Sequence, residues 1–199
     1  VGAVDDLDEH MSDLAGSREL LVGQLREHAL VLGQVTLTSG AKADYYVDAK
    51  RAILLPAGFA ALGRLLAAQV SEWGGTAVGG MTMGADPVAC AALAAGAPVK
   101  AFFVRKDAKT HGLQRRIEGP PLEPGDRCVV VEDVVTTGGS TLAAIVALQD
   151  AEQEICGVIS VLDRLAGGAE AIERASGAPY VALTTIDDVY PEQAAARAG

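Results

Sequence analysis

Stretches with helical apolar spacing alternate along this 199-residue chain with short runs that are alternating or wholly apolar. Asp13 or Ser17 can cap a first helix that reaches about Leu32, with Leu20, Leu21, Leu25 and Leu30 as its apolar positions. Residues 34–40 and 41–48 alternate instead, predicting two short strands joined by a Ser39-Gly40 turn. Pro56 to Val70 returns to helical spacing, with Phe59, Leu62, Leu65 and Leu66 on the buried side. A strand at 76–80 leads through Met81 to Pro87 into an alanine-rich helix at 88–96, with Asp86 as N-cap and Pro87 at the first helical position. Further strands follow at 99–105, 155–162 and 180–185, with a short helix at 169–175 and a terminal one at 191–198. Strands alternating with helices predict an α/β fold, a doubly wound, mostly parallel sheet with a ligand over the C-terminal ends of its strands.

The most informative stretch is Arg127 to Thr141. It opens on an unbroken apolar run, which reads as a strand buried on both faces. Glu132 and Asp133 stand at its end, followed by Val134, Val135, Thr136, Thr137, Gly138, Gly139 and Ser140. From Ser140 the spacing turns helical, with Leu142, Ile145, Val146 and Leu148 available for one apolar face. Such a turn directs backbone N–H groups and a helix N-terminus at one point, which attracts phosphate. Carboxylates beside a phosphate site repel the ligand unless they hold sugar hydroxyls or a metal, and a ribose 5-phosphate meets both conditions. The stretch has neither a Walker lysine nor G-x-G-x-x-G spacing.

Charge sharpens this picture. The chain carries a formal net charge of −10, which argues against nonspecific nucleic-acid binding and against an anionic membrane surface. Half of its residues are hydrophobic and only 4% are aromatic, a balance that suits helices packed on a buried sheet. No apolar run approaches transmembrane length, and the widely spaced Cys90, Cys128 and Cys156 read as small core residues in a reducing cytoplasm. The acidic residues 1–12 are expected to be frayed, with 1–199 forming one domain. Against this acidic background, residues 105–116 hold five Lys/Arg and one Asp. That concentration belongs to a solvated loop or to an anion site. The span 106–124 is a candidate mobile lid.

Four apolar residues, two acids, two apolar residues and Thr-Thr-Gly resemble the phosphoribosyl diphosphate (PRPP) motif of the type I phosphoribosyltransferases. Arg105-Lys106-x-x-Lys109-x-His111-Gly112 is similar to the catalytic loop of the orotate phosphoribosyltransferase family. The Thr38-Ser39-Gly40 turn before Tyr45-Tyr46 and the Asp163-Arg164 pair match that family's layout, over about Leu32 to Tyr190. Two positions depart from it: Thr38 and Met83 stand where the family often has lysine.

The resemblance implies transfer of the phosphoribosyl group of PRPP to orotate, with Mg²⁺ as cofactor held mainly through PRPP and no dedicated protein ligand. It implies PRPP contacts from Glu132, Asp133 and Val134 through Ser140, and orotate contacts from Tyr46, Thr136 and Arg164. Arg105, Lys106, Lys109 and His111 are its catalytic residues, with either Lys109 or His111 donating a proton to the diphosphate. It further implies a small N-terminal hood and a homodimer whose loop completes the neighbouring site. The alternatives are a purine phosphoribosyltransferase and a PRPP-sensing regulator without catalysis.

Overall fold

The computed structural model describes residues 2–36, 42–106 and 116–193. Six strands form the main sheet, in spatial order β5 (Ile117–Glu118), β4 (Lys100–Val104), β3 (Ala77–Met81), β6 (Arg127–Val135), β7 (Glu154–Asp163) and β8 (Tyr180–Thr185). All neighbours are parallel except β5, which runs antiparallel to β4. The chain winds outward from β3 to β4, then returns and winds the other way from β6 to β8. The reversal lies between β3 and β6, where open α/β sheets place their ligands.

Helices cover both faces, as continuous burial in the central strands requires. On one face lie α1 (Gly2–Gln24, continued by a π-turn over Leu25–Ala29), α3 (Pro56–Glu72) and α4 (Ala85–Ala94). Leu21, Leu25, Leu62, Leu66, Val88 and Ile159 join one buried cluster there. On the other face lie α5 (Gly139–Asp150) and α6 (Gly168–Ser176), where Ile145, Leu148 and Ile172 pack with Phe102, Val130 and Val158. Glycine permits two close approaches in β3. A Cβ at Gly79 would strike the Phe102 backbone, and one at Gly80 the Val131 carbonyl.

A separate antiparallel hairpin pairs β1 (Leu30–Thr36) with β2 (Lys42–Val47), and α2 (Lys50–Ile53) follows it. The last short helix, α7 (Ile186–Val189), is closed by a capping box between Thr185 and Asp188. Arg18 of α1 pairs with Asp188 at 2.8 Å, fastening the N-terminal helix to that end of the sheet.

Several expectations need correction. The first helix begins at Gly2 rather than after a cap at Asp13 or Ser17, because no Gly or Pro interrupts residues 3–15. It also ends sooner, since Leu30 already belongs to β1. Asp86 is not an N-cap: Gly84 holds that place and Asp86 lies inside the first turn. Ile117 and Glu118, inside the span read as loop, form an edge strand on β4. Val146 and Cys90 are exposed rather than core. Residues 191–193 are helical, and the rest of the expected terminal helix lies outside the described residues. Among the described residues no helix is long and apolar enough to cross a membrane.

Candidate active site

Strand β6 delivers the acid pair to the sheet's C-terminal edge at the switch point. Glu132 and Asp133 are only 4% and 8% exposed. Glu132 Oε2 accepts from the Thr141 hydroxyl at 3.3 Å, and Oε1 accepts from the Asp133 N–H at 3.2 Å. Burial, and then the neighbouring Asp133 charge, push the Glu132 carboxyl up to about 8. Asp133 Oδ1 accepts from the Val134 N–H at 2.9 Å, and its Oδ2 lies 2.8 Å from Lys50 Nζ.

Lys50 also lies 2.9 Å from Asp48 Oδ1. Burial alone would lower its pKa, but the hydrogen bonds to Asp133 and Asp48 outweigh that and raise it. The reading of the sequence missed Lys50. Nothing local marks it, because its partner Asp133 is remote along the chain and is brought to it only by the fold.

Strand β6 runs on past the acids to Val135, and the chain then turns at Gly138, whose φ of 82° and ψ of 8° are left-handed. Glycine suits that conformation, and a Cβ there would also press on Ile172 at 3.2 Å. Helix α5 starts at Gly139, so its free N–H groups lie at the turn whose flanking residues include Thr136, Thr137 and Ser140. Thr137 and Ser140 are exposed, and Thr136 is half-buried. Not every residue of the motif faces this turn. Val135 is 1% exposed and packs in the α5–α6 core, and Val134 packs against the opposite cluster, so each can offer a ligand only backbone.

Two further turns reach the same edge. After β3, the Thr82–Met83 peptide is cis, Met83 is exposed, and Gly84 abuts the acid pair. After β4, Arg105 N–H donates to the Arg116 carbonyl at 2.8 Å, and Arg116 donates back to the Arg105 and Lys106 carbonyls at 3.3 and 3.4 Å. The basic loop therefore leaves and re-enters the sheet through one pinched base. Gly79 pairs with Phe102 of β4 and with Val130 of β6, so Val104 and Glu132 stand at the same height, two strand spacings or roughly 10 Å apart. Arg105 and Lys106 begin just beyond that height, both exposed, with Arg105 3.6 Å from Glu118. Lys109 and His111 lie outside the described residues, as does the Thr38-Ser39-Gly40 turn.

The hairpin approaches from the other side. Tyr45 is buried and Tyr46 is 40% exposed, the division that strand alternation requires. Arg164 follows β7 and stacks over the Tyr45 ring, with Cζ 4.8 Å from its centroid, while Tyr190 meets the same ring edge-on at 5.7 Å. The Arg164 Nε is buried without a hydrogen-bond partner, an uncommon state for a guanidinium donor. Beneath it, Asp163 accepts from the Leu165 N–H at 2.7 Å and from the Tyr180 hydroxyl at 3.1 Å. That network, too, was not foreseen.

The fold is that of the type I phosphoribosyltransferases, with acid pair, left-handed turn and basic loop base on one sheet edge. No family model matches the chain. An orotate phosphoribosyltransferase of Corynebacterium glutamicum is 48% identical over 176 residues, 88% of this chain and 95% of that one. The crystal structure of the Mycobacterium tuberculosis enzyme of the same name, in complex with Fe(III) dicitrate, superposes with a TM-score of 0.79 at 47% identity, covering 87% of this chain and 99% of that one. A structure of that enzyme in complex with PRPP gives a TM-score of 0.75 at 42% identity, over 87% and 98% of the two chains. The chain belongs to the orotate phosphoribosyltransferase family.

Proposed function

We propose that this chain transfers the 5-phosphoribosyl group of PRPP to orotate, yielding orotidine 5′-monophosphate and diphosphate for pyrimidine nucleotide synthesis. The observation that carries the reading is the meeting of the buried Glu132–Asp133 pair with the Gly138 turn at the sheet's switch point. Ribose hydroxyls fit the acids, and the 5-phosphate fits the backbone and hydroxyl donors from Thr136 to Ser140. The orphaned Nε of Arg164 and the exposed Tyr46 ring suit a planar, carboxylated base, with Thr136 beside it.

Breaking the bond from the sugar to diphosphate leaves positive charge on the ribose and added negative charge on the departing oxygens. Arg105, Lys106, Lys109 and His111 would stabilise those oxygens more in the transition state than in the ground state. Lys109 or His111 would supply the proton to the leaving group, a contribution of roughly 10²–10⁴-fold. The orotate ring nitrogen is itself the nucleophile, so the site needs no activated Ser or Cys. Holding both reactants in line is worth up to about 7–11 kcal/mol.

Asp133 is already engaged by Lys50 and Glu132 by Thr141, so the acids fit substrate hydroxyls better than a bare cation. Mg²⁺, which keeps much of its water and favours phosphate oxygens, fits as an ion carried by PRPP; when bound, it would neutralise diphosphate charge. The free thiols, with Cys128 pushed up to about 12 by burial, suit a reducing cytoplasm. We further propose a homodimer in which the basic loop serves the neighbouring subunit's acid pair. Orotate absorbance followed with PRPP and Mg²⁺, beside adenine and guanine controls, tests the reaction. Consumption of orotate alone is expected, and an unchanged orotate spectrum with turnover of a purine would replace the reading.

A further inference from the structure

Lys50 is the one cation that touches the acid pair among the described residues, at 2.8 Å from Asp133 Oδ2. It arises not from the sheet but from the first residue of α2, four positions after Tyr46 on the hairpin side. Its ammonium is held from behind by Asp48 at 2.9 Å. Asp133 is thereby fixed at both oxygens, by the Val134 N–H on Oδ1 and by Lys50 on Oδ2. Its side chain keeps 11% of its surface open, and Oδ2 has a second lone pair free to accept one sugar hydroxyl.

Resting on the proposed ribose site, we infer that Lys50 is a positioning residue for PRPP. It aims the Asp133 carboxylate at a ribose hydroxyl, offsets the negative charge that would repel a polyanionic substrate, and ties the ring-binding hairpin to the ribose-binding strand. Without it, two adjacent buried carboxylates would face an incoming polyanion with no local counter-charge, and one of them would retain a proton to higher pH. Among the described residues, the other ionisable groups that act here are Asp48, 2.9 Å from the Lys50 ammonium, and Tyr180 on β8, which interacts with Glu132 and whose hydroxyl donates to Asp163. Each is acidic, so neither can replace the lysine.

The test compares Lys50→Met, Lys50→Arg and Asp48→Asn with the wild-type enzyme, using calorimetric PRPP binding and steady-state kinetics from pH 7 to 9.5. In that range the substrate's phosphates, with second pKa values near 6, are already ionised. Lys50→Met should weaken PRPP binding tenfold or more near neutral pH, raise KM for PRPP more than it lowers kcat, and move the rise of affinity with pH to higher values. Lys50→Arg should restore most of the affinity and the profile, and Asp48→Asn should show a smaller change in the same direction. Unchanged PRPP affinity in a folded Lys50→Met protein overturns the inference, as does a loss that neither shifts with pH nor responds to arginine. Should Lys50→Met not fold, the arginine and Asp48→Asn profiles decide the role of Lys50 by the same criteria. Wild-type protein that binds PRPP but leaves orotate unchanged would count against the proposed reaction, while the binding comparison would still decide the role of Lys50.

Discussion

Gly84 backs directly onto Asp133: a methyl group added at Gly84 would overlap Asp133 Oδ1 and come within 3.0 Å of Glu132 Oε1. The Gly84 backbone is ordinary right-handed helix, with φ −63° and ψ −43°, so alanine is barred there by space and not by conformation. Gly84→Ala should therefore displace the Asp133 carboxylate while leaving the helix able to form. We expect KM for PRPP to rise tenfold or more, with a stability loss of about 1–3 kcal/mol from overpacking. Kinetics beside a thermal melt check this; an unaltered KM would detach the turn after β3 from the ribose site.

The Glu132 carboxyl makes stability depend on pH in a defined direction. Its folded-state pKa, pushed up to about 8 by burial and by Asp133, lies above the ordinary 4.5. Between these values the folded protein keeps a proton that the unfolded chain releases. Stability from this group is thus complete below about 4.5 and falls as pH rises toward about 8, by up to a few kcal/mol. Asp188 and Asp126 act in a different window. Hydrogen bonds from Thr185 and Arg18 outweigh burial at Asp188, and those from Glu123 and Lys100 act at Asp126; both are held below the ordinary range. Their contribution is lost only as pH falls below about 4. Melts of the ligand-free protein should accordingly show a lower Tm at pH 8.5 than at pH 6, and Glu132→Gln should flatten that difference. A wild-type Tm that rises over this range would contradict the assignment.

What could be read from the sequence divides by contact distance. The β6–α5 unit was legible because strand, acids, glycine turn and helix follow one another within a few residues, each recorded by its own local pattern. The Tyr45/Tyr46 division was legible for the same reason, since strand alternation alone sends one ring inward and the other out. By contrast, Lys50 meets Asp133, Gly84 meets the acid pair, and Tyr180 meets Asp163 only through tertiary packing. A lysine or glycine carries no local sign of such a partner. Edge strand β5 escaped notice because two residues are too few to show alternation, and its existence depends on the register offered by β4.

The support beneath Arg164 should be separable from the ribose site. Asp163 is 3% exposed and takes one of its hydrogen bonds from the Tyr180 hydroxyl, which also lies 2.6 Å from Ser160 Oγ. Tyr180→Phe leaves that buried carboxylate short of a donor, at a cost of about 1–3 kcal/mol. The Asp163–Leu165 turn that carries Arg164 should loosen with it. KM for orotate is expected to rise several-fold while KM for PRPP stays near its original value. Equal changes in the two constants would show that the network supports the whole edge and not Arg164 in particular.

The pinched base formed by Arg105 and Arg116 sets the loop's point of departure at the edge of the sheet, beyond β4 and two strands from the acid pair. A loop leaving there can fold back over its own subunit or cross to a neighbour, and subunit mixing distinguishes the two. Lys109→Ala removes a loop cation, and the Glu132→Gln, Asp133→Asn double variant disables the cradle; each alone should lose activity by orders of magnitude. Random exchange between equal amounts of the two in a symmetric dimer makes half of the molecules mixed. If loops are shared across the interface, each mixed dimer regains one intact site, so activity should recover to about a quarter of the wild-type level. If each loop serves its own subunit, every site in the mixture contains one defect and activity stays at background. Mass measurement of the exchanged dimers shows that mixing took place, so the activity alone then decides between the two arrangements.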